Sequence, residues 1–254
     1  MRLLKLALCA SALSLAFGGA ALADPPKPAL VFNAGVTSNY LFRGVSQTAG
    51  GVSGFGGADF TYGPVYAGIW ASNVNFQGNS ANGDTSTIET DYYGGVAPSF
   101  AGATFTLGGI YYSYWNTPKF LPGTDNYFEL KAGVSKAFGP VTAGFQYFHS
   151  WKFPQNGGAA DYFEGDLAYA ISPKLSLSGA LGRQDLDING AGLGVIKGYT
   201  TWNVGLTYAI TDKLSIDGRY SGVNSAAADF YGRNQDGPFN TGNRFVGTLK
   251  ATFP

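Results

Sequence analysis

Through most of the chain after Ala29, side chains alternate between apolar and polar at every second position. In residues 199–210 one parity reads Thr200, Trp202, Val204, Leu206, Tyr208, Ile210. The other reads Tyr199, Thr201, Asn203, Gly205, Thr207, Ala209. Residues 214–221 set Leu214, Ile216, Gly218, Tyr220 against Ser215, Asp217, Arg219, Ser221. The last segment sets Phe245, Gly247, Leu249, Ala251, Phe253 against Arg244, Val246, Thr248, Lys250, Thr252. A period of two marks a strand whose two faces meet different surroundings. No apolar run approaches the ~18–20 residues of a spanning helix. The pattern predicts twelve strands, over residues 30–43, 51–62, 65–75, 87–97, 103–115, 126–138, 141–151, 161–171, 174–184, 198–210, 214–222 and 242–253.

The connections alternate in length. Tyr62-Gly63-Pro64-Val65, Phe138-Gly139-Pro140-Val141, Ile171-Ser172-Pro173-Lys174 and Ile210-Thr211-Asp212-Lys213 are tight turns, as is the stretch 98–102. The other connections are longer, up to 223–241, and rich in Asn, Gly, Ser and Asp. Short turns at one end and long loops at the other describe an up-and-down antiparallel sheet. An even strand count puts both termini at the short-turn end.

A soluble sandwich would alternate too, but its outer polar face would be densely charged. Here only 13% of residues are charged, about half the usual share. The polar parity is filled with Gly, Ser, Thr and Asn. The apolar parity carries Tyr40, Trp115, Trp151, Trp202 and Tyr208 near strand ends, where amphipathic rings suit a membrane interface. By this reading Lys136 and Arg183 are the only charges on the apolar face, both near strand ends. A wall facing hydrocarbon must close, because every backbone N–H and C=O needs a partner there. The expected fold is all-β: a closed up-and-down antiparallel transmembrane β-barrel of about twelve strands.

Other classes fall away. Sixteen Lys+Arg balance sixteen Asp+Glu, so clustered cations for nucleic acid are missing. Aromatics make up 15% of the chain, which excludes disorder. Residues 1–23 read as a cleaved signal peptide. Arg2 and Lys5 precede an apolar run, and Ala21-Leu22-Ala23 supplies small residues before Asp24. Cys9 follows too few apolar residues for a lipoprotein box. Its removal leaves a chain without cysteine, hence without disulfides. Residues 24–29 then form a Pro-rich periplasmic leader, and 30–254 form the barrel. Phe253 is placed as an assembly signal for the barrel-assembly machinery, displaced from the last position by Pro254. The expected location is the outer membrane, with lipid as a partner and the oligomeric state open.

The stretch Ser38-Asn39-Tyr40-Leu41-Phe42-Arg43-Gly44-Val45-Ser46-Gln47-Thr48 resembles the opening motif of the TorF family of porins. Its motif positions are Ser38, Tyr40, Phe42, Arg43, Gly44, Ser46, Gln47 and Thr48. Residues 63–76, Ile88-Glu89-Thr90-Asp91-Tyr92-Tyr93-Gly94-Gly95 and Ile110-Tyr111-Tyr112-Ser113-Tyr114 continue the resemblance. It implies a Gram-negative outer-membrane barrel with no settled substrate.

The functional residues expected from parity are the ionisable groups facing the lumen. The acids are Asp59, Glu89, Asp91, Glu129, Glu164, Asp166 and Asp217; the bases are Arg43, Lys131, Arg219, Arg244 and Lys250. Opposed charges around a water-filled path select solutes by size and charge. Arg43 either lines the pore mouth and attracts anions or pairs with a lumen carboxylate and braces the wall. The expected function is passive diffusion of small hydrophilic solutes, with no enzyme activity and no cofactor. Two alternatives stand beside it: a non-conducting structural or surface-interaction barrel, and a lipid-acting barrel enzyme with His149 as base. His149 shares the apolar parity of Phe145, Tyr147 and Trp151, which suggests interface packing. Asp185, Asp187 and Asn189 begin a calcium-loop pattern, but Ile196 stands where the closing Glu is needed. With one His and, once residues 1–23 are removed, no Cys, an N/S metal site is not expected. Gly190, Gly192, Gly194 and Gly198 lack the βαβ setting of a dinucleotide loop.

Overall fold

A computed structural model describes residues 26–75, 87–115, 126–154, 158–186, 198–227 and 241–254. The wall consists of β1 (Ala29–Thr37), β2 (Ser53–Tyr62), β3 (Val65–Asn73), β4 (Ile88–Val96), β5 (Ala103–Trp115) and β6 (Tyr127–Phe138). It continues through β7 (Val141–Ser150), β8 (Ala160–Ser172), β9 (Leu175–Leu186), β10 (Gly198–Ala209), β11 (Leu214–Val223) and β12 (Arg244–Phe253). Each strand pairs antiparallel with its sequence neighbours. The ring closes where β12 meets β1, with Phe32 opposite Phe253 and Thr37 opposite Thr248. The fold is thus the expected closed twelve-stranded antiparallel barrel. Closure leaves no strand edge, which is what a wall in hydrocarbon requires. No described helix is long and apolar enough to cross a membrane. The signal peptide lies outside the described residues.

Alternation puts the apolar parity outside. Leu107, Leu181 and Leu206 project outward, 59%, 63% and 47% exposed. Each such side chain taken up by lipid contributes roughly 1.5–3 kcal/mol. Facing neighbours reinforce the outer surface: Leu206 lies opposite Leu177, and Ile216 opposite Leu249. Trp115 and Trp151 stand exposed on the outside near the long-loop end. Trp151 stacks on Phe128 at 6.4 Å between ring centres.

Three expectations need correction. First, β1 stops at Thr37, six residues early. Ser38 and Asn39 favour turns over ladder pairing, and the chain leaves the wall there. Second, Tyr40 therefore lies in an inward segment, not on the lipid face. Third, Lys136 and Arg183 are not the only outer charges. Asp161 and Asp185 share the outer parity and sit opposite each other. Both are neutralised locally. Arg183 Nε bonds Asp185 Oδ1 at 2.7 Å. Asp161 Oδ1 accepts the Tyr147 hydroxyl at 2.6 Å and meets His149 Nδ1 at 2.8 Å. These residues lie at the long-loop rim, where ionic groups reach the interface. At the opposite end Lys136 Nζ donates to the Ala101 carbonyl at 3.1 Å.

Candidate functional site

Residues 38–50 fold into the barrel and fill its long-loop end. The Ser38 amide still donates to Gly247 O at 2.9 Å. Asn39 Oδ1 then collects the hydroxyls of Ser46 (2.7 Å) and Thr48 (3.2 Å), and the Gln47 amide donates to Tyr40 O at 2.8 Å. These bonds close a hairpin in which Leu41–Phe42 pairs with Val45–Ser46. Arg43 and Gly44 form its tip, with φ of 47° and 77°. Glycine is needed second: an added Cβ would meet Val223 Cγ1 at 2.5 Å in a left-handed backbone. Val45 is 1% exposed and packs in a lumen cluster with Tyr112, Tyr127, Tyr199 and Val223. Tyr112 and Tyr127 stack at 4.4 Å, and Phe42 meets Tyr112 edge-on at 5.8 Å.

Arg43 anchors the hairpin to the wall. Its Nη2 donates to Glu129 Oε2 at 2.6 Å, and its Nη1 to Gln184 Oε1 at 2.7 Å. The guanidinium lies 4.2 Å from the Tyr162 ring centre, 4.6 Å from Phe42 and 5.2 Å from Phe148. Burial works against its charge. Glu129, helped by Tyr112 and Tyr127, more than offsets this and holds the group above its ordinary range. Of the two readings of Arg43, the geometry supports the brace. Tyr40 reaches the opposite wall, where its hydroxyl donates to Glu89 Oε1 at 2.6 Å. Burial, then Glu89 and Asp91, push that phenol above its usual value.

All the other ionisable residues expected in the lumen occupy the inner parity, in separate groups. On β2–β4, Asp59 accepts the Tyr93 hydroxyl and Asn33 Nδ2, while Asp91 and Glu89 follow toward the hairpin. On β6–β8, Lys131 lies over the Phe148 ring at 5.4 Å, near Glu164 and Asp166. Glu164 accepts the Tyr162 hydroxyl at 2.7 Å. On β9–β11, Arg219 braces Asp217 (3.1 Å), Ser178 (3.1 Å) and Asn203 (2.5 Å). Arg244 donates to Thr241 O. Lys250 is half-buried on β12, opposite Gly35 and Ser215.

Burial is uneven along the axis. Ser53, Glu89, Glu129, Gln184 and Tyr199 are all buried near the hairpin. Toward the short turns burial is mixed: Tyr66, Thr104, Ser176 and Thr207 are buried, whereas Ser135 is exposed and Thr61, Thr142 and Thr252 are half-buried. The described lumen is lined by polar groups, and at its long-loop end the hairpin and the aromatic cluster around it fill the space between the strands. The role of Gln184 and Tyr199 was not singled out from sequence, although their parity already pointed inward. His149 faces outward against Trp151, ring centres 4.7 Å apart. Asp185 is held by Arg183; Asp187 and Asn189 lie outside the described residues.

Solved structures share this architecture. A KdgM porin in complex with disordered oligogalacturonate is similar with a TM-score of 0.58 and 8% identity, over 89% of this chain and 100% of that one. Vibrio cholerae OmpT, described as expressed in the outer membrane, has a TM-score of 0.44 and 10% identity over 92% and 99% of the two chains. The Acinetobacter baumannii outer-membrane protein Omp33 has a TM-score of 0.42 and 12% identity over 88% and 96%. At 8% identity the KdgM likeness is one of fold. No curated protein sequence matches the chain. A family model described as bacterial protein of unknown function (Gcw_chp) matches residues 22–253, and the chain belongs to that family.

Proposed function

We propose that this protein is a porin-like channel of the outer membrane, passing small hydrophilic solutes by passive diffusion, with the 38–50 hairpin as its constriction. One observation carries the reading. The wall is complete without the hairpin, and what fills the long-loop end of its polar interior is an inserted segment whose one ion pair to the wall is Arg43–Glu129 among the described residues. The twelve inner ionisable residues then act as pore-lining groups that screen solutes by charge. The fold shared with a porin and the resemblance of residues 38–48 to the TorF opening motif support the same reading. Export through a cleaved signal at residues 1–23 and insertion by the barrel-assembly machinery complete it. No bond is made or broken, and no residue is assigned a catalytic role.

The buried Arg43–Glu129–Gln184 contact favours one second reading, a permanently closed structural barrel. Planar-bilayer recording of the purified folded protein separates the two. Discrete current steps in KCl are expected. Currents that never rise above leak would establish the closed barrel.

A further inference from the structure

On the β2–β4 wall the carboxylates lack cations. Arg43 is committed to Glu129 and Arg219 to Asp217. No Lys or Arg of the described residues forms an ion pair with Asp59, Asp91 or Glu89. Glu89 is 1% exposed, and its Oε2 has no hydrogen-bond partner among the described residues; neither has Asp91 Oδ1. At successive inner positions, two residues apart on one strand, the two side chains start roughly 6.6 Å from each other. Burying two carboxylates without counter-charge is costly. A cation taken up between them removes that cost.

Aromatic rings surround the pair. Tyr40 and Trp70 lie 5.3 Å apart at 60°. Trp70 stands directly across the ladder from Asp91 on one side and Tyr112 on the other; Tyr114 stands across from Glu89. Ring faces beside carboxylates suit an alkylammonium, which gains both charge pairing and cation–π contact. No group of three or more His, Cys, Asp or Glu is arranged for a metal among the described residues. Asp91 is the less enclosed of the two. Asp59 lies nearer the short-turn end, so negative charge continues along this wall toward it.

We infer that Glu89 and Asp91, walled by Tyr40 and Trp70, form a lumen subsite for small organic ammonium ions, diamines foremost because two carboxylates balance two charges. The subsite deepens the channel reading, on which its role as a solute station rests. Calorimetric titration of the detergent-folded full chain with 1,4-diaminobutane tests it apart from that reading. Saturable binding is expected, at least tenfold weaker in Glu89→Gln/Asp91→Asn and unchanged in Asp212→Asn, a carboxylate removed from a distant short turn. Heat-modifiable gel mobility confirms that each variant is folded; if the double variant fails this check, Asp91→Asn alone is titrated, with the same loss of affinity expected. No binding by the unaltered protein, as protonated carboxyls would give, overturns the subsite. So does equal binding by a folded variant. Diamine binding with no current steps in bilayers would sink the channel reading alone.

Discussion

Arg43 shows how one side chain joins two parts of the molecule. Its ion pair with Glu129 is buried at both ends, 4% and 1% exposed. Such a pair adds little net stability, but breaking it strands a charge. Arg43→Ala should therefore cost about 3–5 kcal/mol by leaving Glu129 unpaired, read as a lower urea midpoint. Removing both charges in Arg43→Met/Glu129→Gln should recover most of that loss. A double variant no better than the single would show that Glu129 is not the partner that matters. Parity from the sequence put the eleven ionisable residues on wall strands on the inner face, because strand geometry is local; Arg43 is inside only because the hairpin folds inward. Parity did not pair them. Glu129 and Gln184 lie 86 and 141 positions from Arg43, and only barrel closure brings them together. Asp161 and Asp185 escaped as outer charges because they sit at strand ends. There ionic groups are tolerated, and parity loses its force.

The element that best defines the wall is the strand with opposite surroundings on its two faces. β5 offers a direct comparison. Leu107 points outward and Thr106 inward, next to each other at nearly the same depth. Leu107→Lys puts an ammonium against lipid and should cost roughly 2–4 kcal/mol near the bilayer middle. Thr106→Lys turns the same ammonium to the inner face, where Gly133 stands opposite it. Urea titration of folding into liposomes should show a large loss for the first and less than a quarter of it for the second. Equal losses would mean that the two faces are not lipid and water. All twelve strands were legible, since alternation and turn residues agree along each. The failure at 38–43 has a physical cause. Alternation persists past Thr37 because the hairpin also has two faces, one toward Tyr112 and one toward its own polar bonds. Periodicity reports two-sidedness and does not tell a wall from a plug.

At the scale of the molecule the structure divides into a wall that needs no plug and a plug that needs the wall. Neighbouring strands supply every ladder bond of the ring, and β12 closes it on β1. The hairpin adds its own two-residue pairing, the Arg43 anchor, the Tyr40–Glu89 bond and apolar contacts. Strand number and closure followed from the sequence because hydrocarbon permits no open edge. Lumen occupancy did not, because twelve strands fall between the packed and the freely open barrels, and one segment's path decides it. Replacing residues 39–49 with a Gly-Ser linker should thus leave a folded, heat-modifiable barrel. It should lose the stability that the hairpin's burial supplies. In planar bilayers its current step should exceed that of the unaltered chain several-fold, because Tyr40, Phe42, Arg43 and Val45 no longer occupy the long-loop end. A folded variant with an unchanged step would place the constriction elsewhere, in the wall side chains around Arg219 or in the long loops. A variant unable to fold would show that the hairpin nucleates closure, and the division of labour would fail.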